Sequence, residues 1–159
     1  HIGFICDGGK DMRISSKSRY GLAAMIYIAQ NAGLEEQITI ISIAEKLGIS
    51  KIYLEQVFAH LKRDGLVISV KGAQGGYRLS APPSGITALQ ILRAIEVSLF
   101  EKTERSVSDE ASSIDAAMDG LIWGPLDEGI IKTLEKVTLQ DLAEDAGKRQ
   151  HGDNYMFYI

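Results

Sequence analysis

Apolar residues recur along this chain with two different periods, and the places where the period changes mark off its elements. After Ser16, the residues Tyr20, Ala23, Ala24, Tyr27 and Ile28 fall at spacings of three and four, which predicts a helix stopped near Gly33. Ile38-Thr39-Ile40 is short, apolar and β-branched, and reads as a strand or extended lead-in. Ser42-Ile43-Ala44-Glu45 has the form of a capping box, in which hydroxyl and carboxylate each satisfy an orphan amide; it predicts a short helix ending at Leu47-Gly48. Gly48-Ile49-Ser50 is a tight turn whose serine can cap a second, longer helix over 51–64. Ile52, Leu54, Val57, Phe58 and Leu61 form its apolar face, and Gly65 ends it. Residues 66–70 then read as a strand, 71–76 as a glycine-rich tip and Tyr77-Arg78-Leu79 as a second strand, with Ala81-Pro82-Pro83 closing the unit.

The second half has a different pattern. Thr87 and Gln90 form another capping box, ahead of a helix whose apolar face is Ile91, Leu92, Ile95 and Val97. Residues 101–113 are polar and serine-rich, and read as a mobile loop. A helix is predicted over about 120–136, where Ile122, Leu126, Ile130, Leu134 and Val137 recur at four, four, four and three, widened by Trp123 and Ile131. Proline is tolerated only in a first turn, so Pro125 moves the predicted start to Gly124. A long helix with so broad an apolar face suits dimerisation with a copy of itself through Ile122, Leu126, Ile130 and Leu134. Thr138 caps a short final helix. Residues 145–153 are polar and punctuated by glycine, which predicts a flexible stretch. It carries Tyr155, Met156, Phe157, Tyr158 and Ile159, a cluster costly to leave in water, so these residues either fold back or dock into a partner.

Composition narrows the class. The chain has 159 residues, 45% apolar and 24% charged, which fits a soluble globular protein and excludes a disordered chain or a fibrous rod. No uninterrupted apolar run is long enough to span a membrane. The single Cys6 allows no internal disulfide and fits a reducing, cytoplasmic setting. Residues 1–11 lack periodicity ahead of Met12 and read as a tag or upstream extension. Charge is unevenly distributed: residues 12–80 carry nine Lys/Arg against five Asp/Glu, whereas residues 81–159 carry seven against fourteen. A polyanion can be met by the first half and not by the second. No Ser/His/Asp, Cys/His or paired-histidine constellation is present, so no catalytic residue, metal ligand or cofactor is assigned and an enzyme is not expected. His60 stands without a second histidine or a cysteine near it and reads as a surface or packing residue.

Short helix, tight glycine turn, longer helix and then a hairpin is the order of a winged helix-turn-helix. The fold class is therefore mainly α with a small β-hairpin wing, followed by a long dimerisation helix. The glycines at 72, 75 and 76 fit neither a dinucleotide nor a Walker phosphate loop, and no helix follows them directly. In a winged helix the start of the second helix faces base edges, which selects Ser50, Lys51, Tyr53, Glu55 and Gln56. Gln56 suits adenine and Glu55 suits the cytosine amino group. Lys17, Arg19 and Tyr20 suit phosphates beside the first helix, with Lys62 or Arg63 as secondary candidates, and Lys71, Gly72 and Arg78 serve the wing.

Several blocks carry a family resemblance. Arg13-Ile14-Ser15, Arg19-Tyr20-Gly21-Leu22, Tyr53-Leu54-Glu55-Gln56-Val57, Gly65-Leu66-Val67 and Lys71-Gly72-Ala73-Gln74-Gly75-Gly76-Tyr77 together resemble the winged-helix regulator family of IscR, NsrR and CymR. The resemblance spans nearly all of 12–159 and implies a homodimer that binds double-stranded DNA at specific sequences. Cluster-binding members carry three cysteines where this chain has none between Val97 and Met118, so iron–sulfur sensing is not carried over. The ending Tyr-Met-Phe-Tyr-Ile and the cysteine-free region resemble the cysteine-metabolism branch of the family. That branch associates with the cysteine synthase CysK, an O-acetylserine (thiol) lyase that also accepts the terminal Ile of serine acetyltransferase. The resemblance thus implies a repressor of cysteine and sulfur genes, co-regulated by that enzyme through the tail. The alternative is a related repressor that senses a small molecule or redox state directly. The expected organisation is an extension at 1–11, the winged helix-turn-helix at 12–84, dimerisation and regulatory helices at 85–146 and a flexible partner-docking tail at 147–159.

Overall fold

The computed structural model describes residues 14–72 and 75–156, with side chains as far as residue 152. Helix α1 (Ser16–Asn31) is capped by Ser15, whose hydroxyl accepts from the Ser18 amide. Helices α2 (Ile40–Leu47) and α3 (Lys51–Arg63) follow, joined by Gly48 at φ +66°, a left-handed conformation that glycine adopts without a Cβ penalty. Strands β1 (Val67–Val70) and β2 (Gly76–Leu79) pair antiparallel with Val67 opposite Leu79 and Val70 opposite Gly76. Ile38 adds one bridge to Tyr77, its amide donating to the Tyr77 carbonyl at 2.8 Å. The mainly helical winged fold expected from the sequence is the fold observed.

The core lies where α1, α3 and the later helix α4 (Ala88–Ile95) converge. Met25, Ile28, Ile43, Leu54, Val57, Phe58, Leu61 and Ile91 are fully buried there. Their spacing on α1 and α3 is the i, i+3, i+4 pattern that turns one face inward. Gly21 is where α1 meets this layer: a Cβ there would lie 2.3 Å from Ile95 Cδ1 and 2.7 Å from Val57 Cγ1. Phe58 and Tyr77, with centroids 4.7 Å apart, pack the wing onto α3.

The chain follows the expected order of elements with three corrections. Thr87 and Gln90 make the full capping box of α4, as the sequence predicts. At α2, however, the cap is Thr39, which accepts from the Ser42 amide, so Ser42 is already helical. Thr39 is preferred because its β-region backbone follows directly from the Ile38 bridge to the wing. A helix begins at Gly124, as Pro125 predicts, but helical turns already start at Ser112, within the stretch expected as a mobile loop. Helices α5 (Ser112–Met118) and α6 (Gly124–Glu135) run into one another through a π-helical turn, Asp119–Trp123. Pro125 follows that turn, and the wider π ring accommodates a residue with no amide proton and a bulky ring.

The final helix, α7 (Leu139–Met156), is the third correction. It is long, not short, and occupies most of the stretch expected to be flexible from 147. Thr138 and Asp141 cap it reciprocally, at 2.9 and 3.0 Å. Hydrogen bonds from the Thr138 backbone amide and side chain hold the Asp141 carboxyl below its ordinary pKa. The pairs Gln140–Glu144 and Asp145–Arg149 sit four residues apart on its surface. Such pairs and the run Lys148-Arg149-Gln150 offset the propensity cost of Gly147. Packing against α1 adds to this: Gln30 Nε2 donates to the Ala143 carbonyl at 3.2 Å, and Leu139 is fully buried. Tyr155 and Met156 fall in this helix, and Phe157, Tyr158 and Ile159 lie outside the described residues.

Candidate nucleic-acid interface

The helix α3 divides its residues cleanly. Leu54, Val57, Phe58 and Leu61 point inward, while Lys51, Ile52, Tyr53, Glu55 and Gln56 are exposed. Ser50 is the N-cap, but its side chain makes no cap bond, so the hydroxyl is not committed to the helix it precedes. Lys51 Nζ stands 3.6 Å from Glu55 Oε1, a pair open to water and worth little by itself. Tyr53 meets Tyr20 of α1 edge-on, with ring centroids 5.8 Å apart. That contact brings the start of α1 beside the start of α3, with Tyr20 at the join. On the other side, a hollow of about 210 Å³ is lined by Thr39, Ile40, Ile41, Lys51, Glu55, Gly76 and Tyr77. It joins α3 to the start of β2, next to the wing tip. One surface thus runs from α1 across α3 to the hairpin, where Lys71 and Gly72 are exposed.

Three sequence assignments look different in three dimensions. Arg78 lies two residues into β2, opposite Ile68, and its guanidinium turns to the Leu34 carbonyl at 3.5 Å and Glu35 at 4.0 Å. It braces the wing against the α1–α2 loop rather than flanking the tip. Arg63 donates to the Ala94 carbonyl at 3.2 Å and pairs with Asp64, which ties α3 to α4. Ile52, assigned to the apolar face of α3, is 67% exposed. Its position is off the 54, 57, 58, 61 register, a signal legible in the sequence. An exposed aliphatic side chain on this face suits contact with a thymine methyl group.

The predicted dimerisation residues also separate. No residue of α6 is fully buried. Ile122 and Leu126 are 51% and 54% exposed, and Leu121 and Ile114 are exposed beside them. Ile130 and Leu134 are half-buried, and Ile130 lines a small hollow with Arg93, Leu99, Phe100, Asp127 and Ile131, against α4 and the segment after it.

A family model described as "Rrf2: Iron-dependent Transcriptional regulator" matches residues 14–145. The chain belongs to the Rrf2 family. It is 37% identical over 150 residues to the HTH-type transcriptional regulator CymR of Bacillus subtilis (strain 168), which covers 93% of this chain and 100% of that protein. It is 33% identical over 145 residues to the HTH-type transcriptional regulator IscR of Klebsiella pneumoniae (strain 342), covering 88% of each. The solved structure of CymR, titled the global cysteine regulator of B. subtilis, superposes with a TM-score of 0.67 at 34% identity, covering 84% of this chain and 97% of that one. T. potens IscR gives 0.68 at 36% identity, covering 93% and 98%. The protein is thus an Rrf2-family transcriptional regulator closely related to CymR, and not an enzyme.

The family description names iron, and the donor set decides whether this chain fits it. No cysteine follows Cys6, and an iron–sulfur cluster is held chiefly by cysteine thiolates. The irregular segment 101–111 is organised instead around Asp115. Its carboxylate accepts from the amides of Ser106 at 3.1 Å and Val107 at 3.3 Å, and Arg105 Nε lies 3.7 Å away. Among the described residues, no group of three or more His, Cys, Asp or Glu side chains could hold a metal ion. The residues present do not fit an iron–sulfur cluster. No helix among the described residues is long and apolar enough to cross a membrane.

Proposed function

We propose that the protein is a homodimeric repressor of cysteine and sulfur genes that reads a two-fold symmetric DNA site with α3 and the wing. The observation that supports this reading is the surface from α1 over α3 to the hairpin, built from elements that carry Lys17, Arg19, Lys51 and Lys71. Gln56, with Ile52 and Glu55, reads base edges in the major groove; Lys17, Arg19 and Lys71 hold phosphates, and Gly72 lets the wing backbone approach the duplex. Ser50 adds a hydroxyl at the helix start, and Tyr53 and Tyr20 fix the two helices against each other. The likeness to CymR supports cysteine metabolism as the regulated process. The ending Tyr155-Met156-Phe157-Tyr158-Ile159 supports cysteine synthase as co-regulator.

A duplex selected by the purified protein from random sequence provides the test. Gln56→Ala is expected to cost about 1–3 kcal/mol against the preferred base and to level the four bases at that one position. Lys71→Ala is expected to weaken every duplex alike. Uniform weakening by Gln56→Ala in competition gel shifts would remove it from the base-reading set.

A further inference from the structure

Ser18 is the one buried polar side chain among the described residues, with none of its surface exposed. Its hydroxyl donates to Glu96 Oε2 at 2.6 Å, and the backbone amide of Ser15 donates to the same oxygen at 2.9 Å. Ser15 is the cap of α1, and Glu96 is the residue that ends α4. Burial raises the Glu96 carboxyl, but hydrogen bonds from Ser18, Ser15 and Ser98 outweigh it and hold the group below the ordinary value. The carboxylate is therefore ionised at neutral pH, at the positive end of the α1 dipole. Two residues earlier, the Ala94 carbonyl accepts from Arg63 at the end of α3. The last turn of α4 thus grips the start of α1 and the end of α3 together.

We propose that Glu96 is a positioning residue for DNA binding: it fixes the first turn of α1 so that Lys17 and Arg19 meet the phosphates. The inference deepens the DNA-binding reading and rests on it. Lys17 and Arg19 flank Ser18, so the turn that Glu96 holds is the turn that carries both cations. The sign of the effect separates positioning from bulk electrostatics. A carboxylate near a phosphate-binding edge repels DNA, so charge removal alone would tighten binding. Loss of the strut weakens it, because both cations then pay an ordering cost on binding.

A double-mutant cycle on the full-length protein with the selected duplex tests this, with circular dichroism and melting on each variant. Glu96→Ala is expected to weaken binding about tenfold in the parent and less than about twofold when Lys17 and Arg19 are both alanine. The salt dependence should become shallower while base preference stays the same. Glu96→Gln keeps an acceptor oxygen and should fall between, which guards against a fold defect in the alanine variant. Tighter or unchanged binding by Glu96→Ala overturns the inference and leaves the DNA reading intact. An equal loss with and without the two cations also overturns it, because the effect would then be on folding. A parent protein that selects no duplex defeats the DNA reading itself and the inference with it.

Discussion

Ile122→Asp together with Leu126→Asp is expected to give a folded monomer whose affinity for a two-half-site duplex falls by more than about a hundredfold. Both side chains are more than half exposed on a helix with no fully buried residue, so the protomer does not depend on them for its own core. Their exposure has a cost in water that only a partner surface removes, at about 1.5–3 kcal/mol for each side chain fully buried. Aspartate in such a seam would bury unpaired charge in both copies. Because a dimer presents two heads to one duplex, the second head binds at an effective concentration in the millimolar range, and a monomer loses that gain. Ile130 makes the contrast: it lines the hollow against α4, so its aspartate variant is expected to lower the melting temperature of the protomer itself. Sedimentation velocity and melting curves on the two variants separate the cases. A well-folded dimer from the Ile122/Leu126 variant would place the seam elsewhere.

Deletion of Ile159 alone is expected to abolish binding to a purified cysteine synthase while leaving dimerisation and melting unchanged. The reasoning is chemical. The apolar side chains of Phe157, Tyr158 and Ile159 are proposed to enter the synthase's substrate cleft, which would bury them. Binding should therefore compete with O-acetylserine, which links cysteine supply to gene control by mass action. Because α7 is helical to Met156, the first two of the five residues proposed to dock belong to a helix packed on α1 and not to a loose tether. Calorimetry of the synthase with the peptide 153–159, with and without O-acetylserine, checks the competition. No heat of binding, or binding indifferent to saturating substrate, would return the tail to a structural role.

Local signals proved the most legible. The Gly48 turn, the Gly65 stop, the Thr87 capping box and the hairpin at 67–79 each depend on residues within a few positions of one another, and each stands where the sequence puts it. The sequence pattern put the cap of α2 at Ser42, and the structure puts it at Thr39, next to the bridge from Ile38 to the wing that no local signal showed. Glycines at 147 and 152 signalled a break, but contacts with α1 and side-chain pairs along the surface kept α7 helical through both. On α3, the exposure of Gln56 and Lys51 was readable because they lie opposite the apolar stripe. The partners of Arg63, Arg78 and Glu96 were not, since each is reached from an element at least thirty residues away.

The central claim is that this face of the molecule binds DNA by sequence, with phosphates held by Lys17, Arg19 and Lys71. Fluorescence anisotropy of the parent protein on its selected duplex and on a scrambled duplex, across a range of salt, tests it most directly. Three cations from each of two protomers predict a slope of log affinity against log salt of about −5, and selectivity of at least about a thousandfold over the scrambled duplex. Equal affinity for the two duplexes, or binding that does not change with salt, would contradict it.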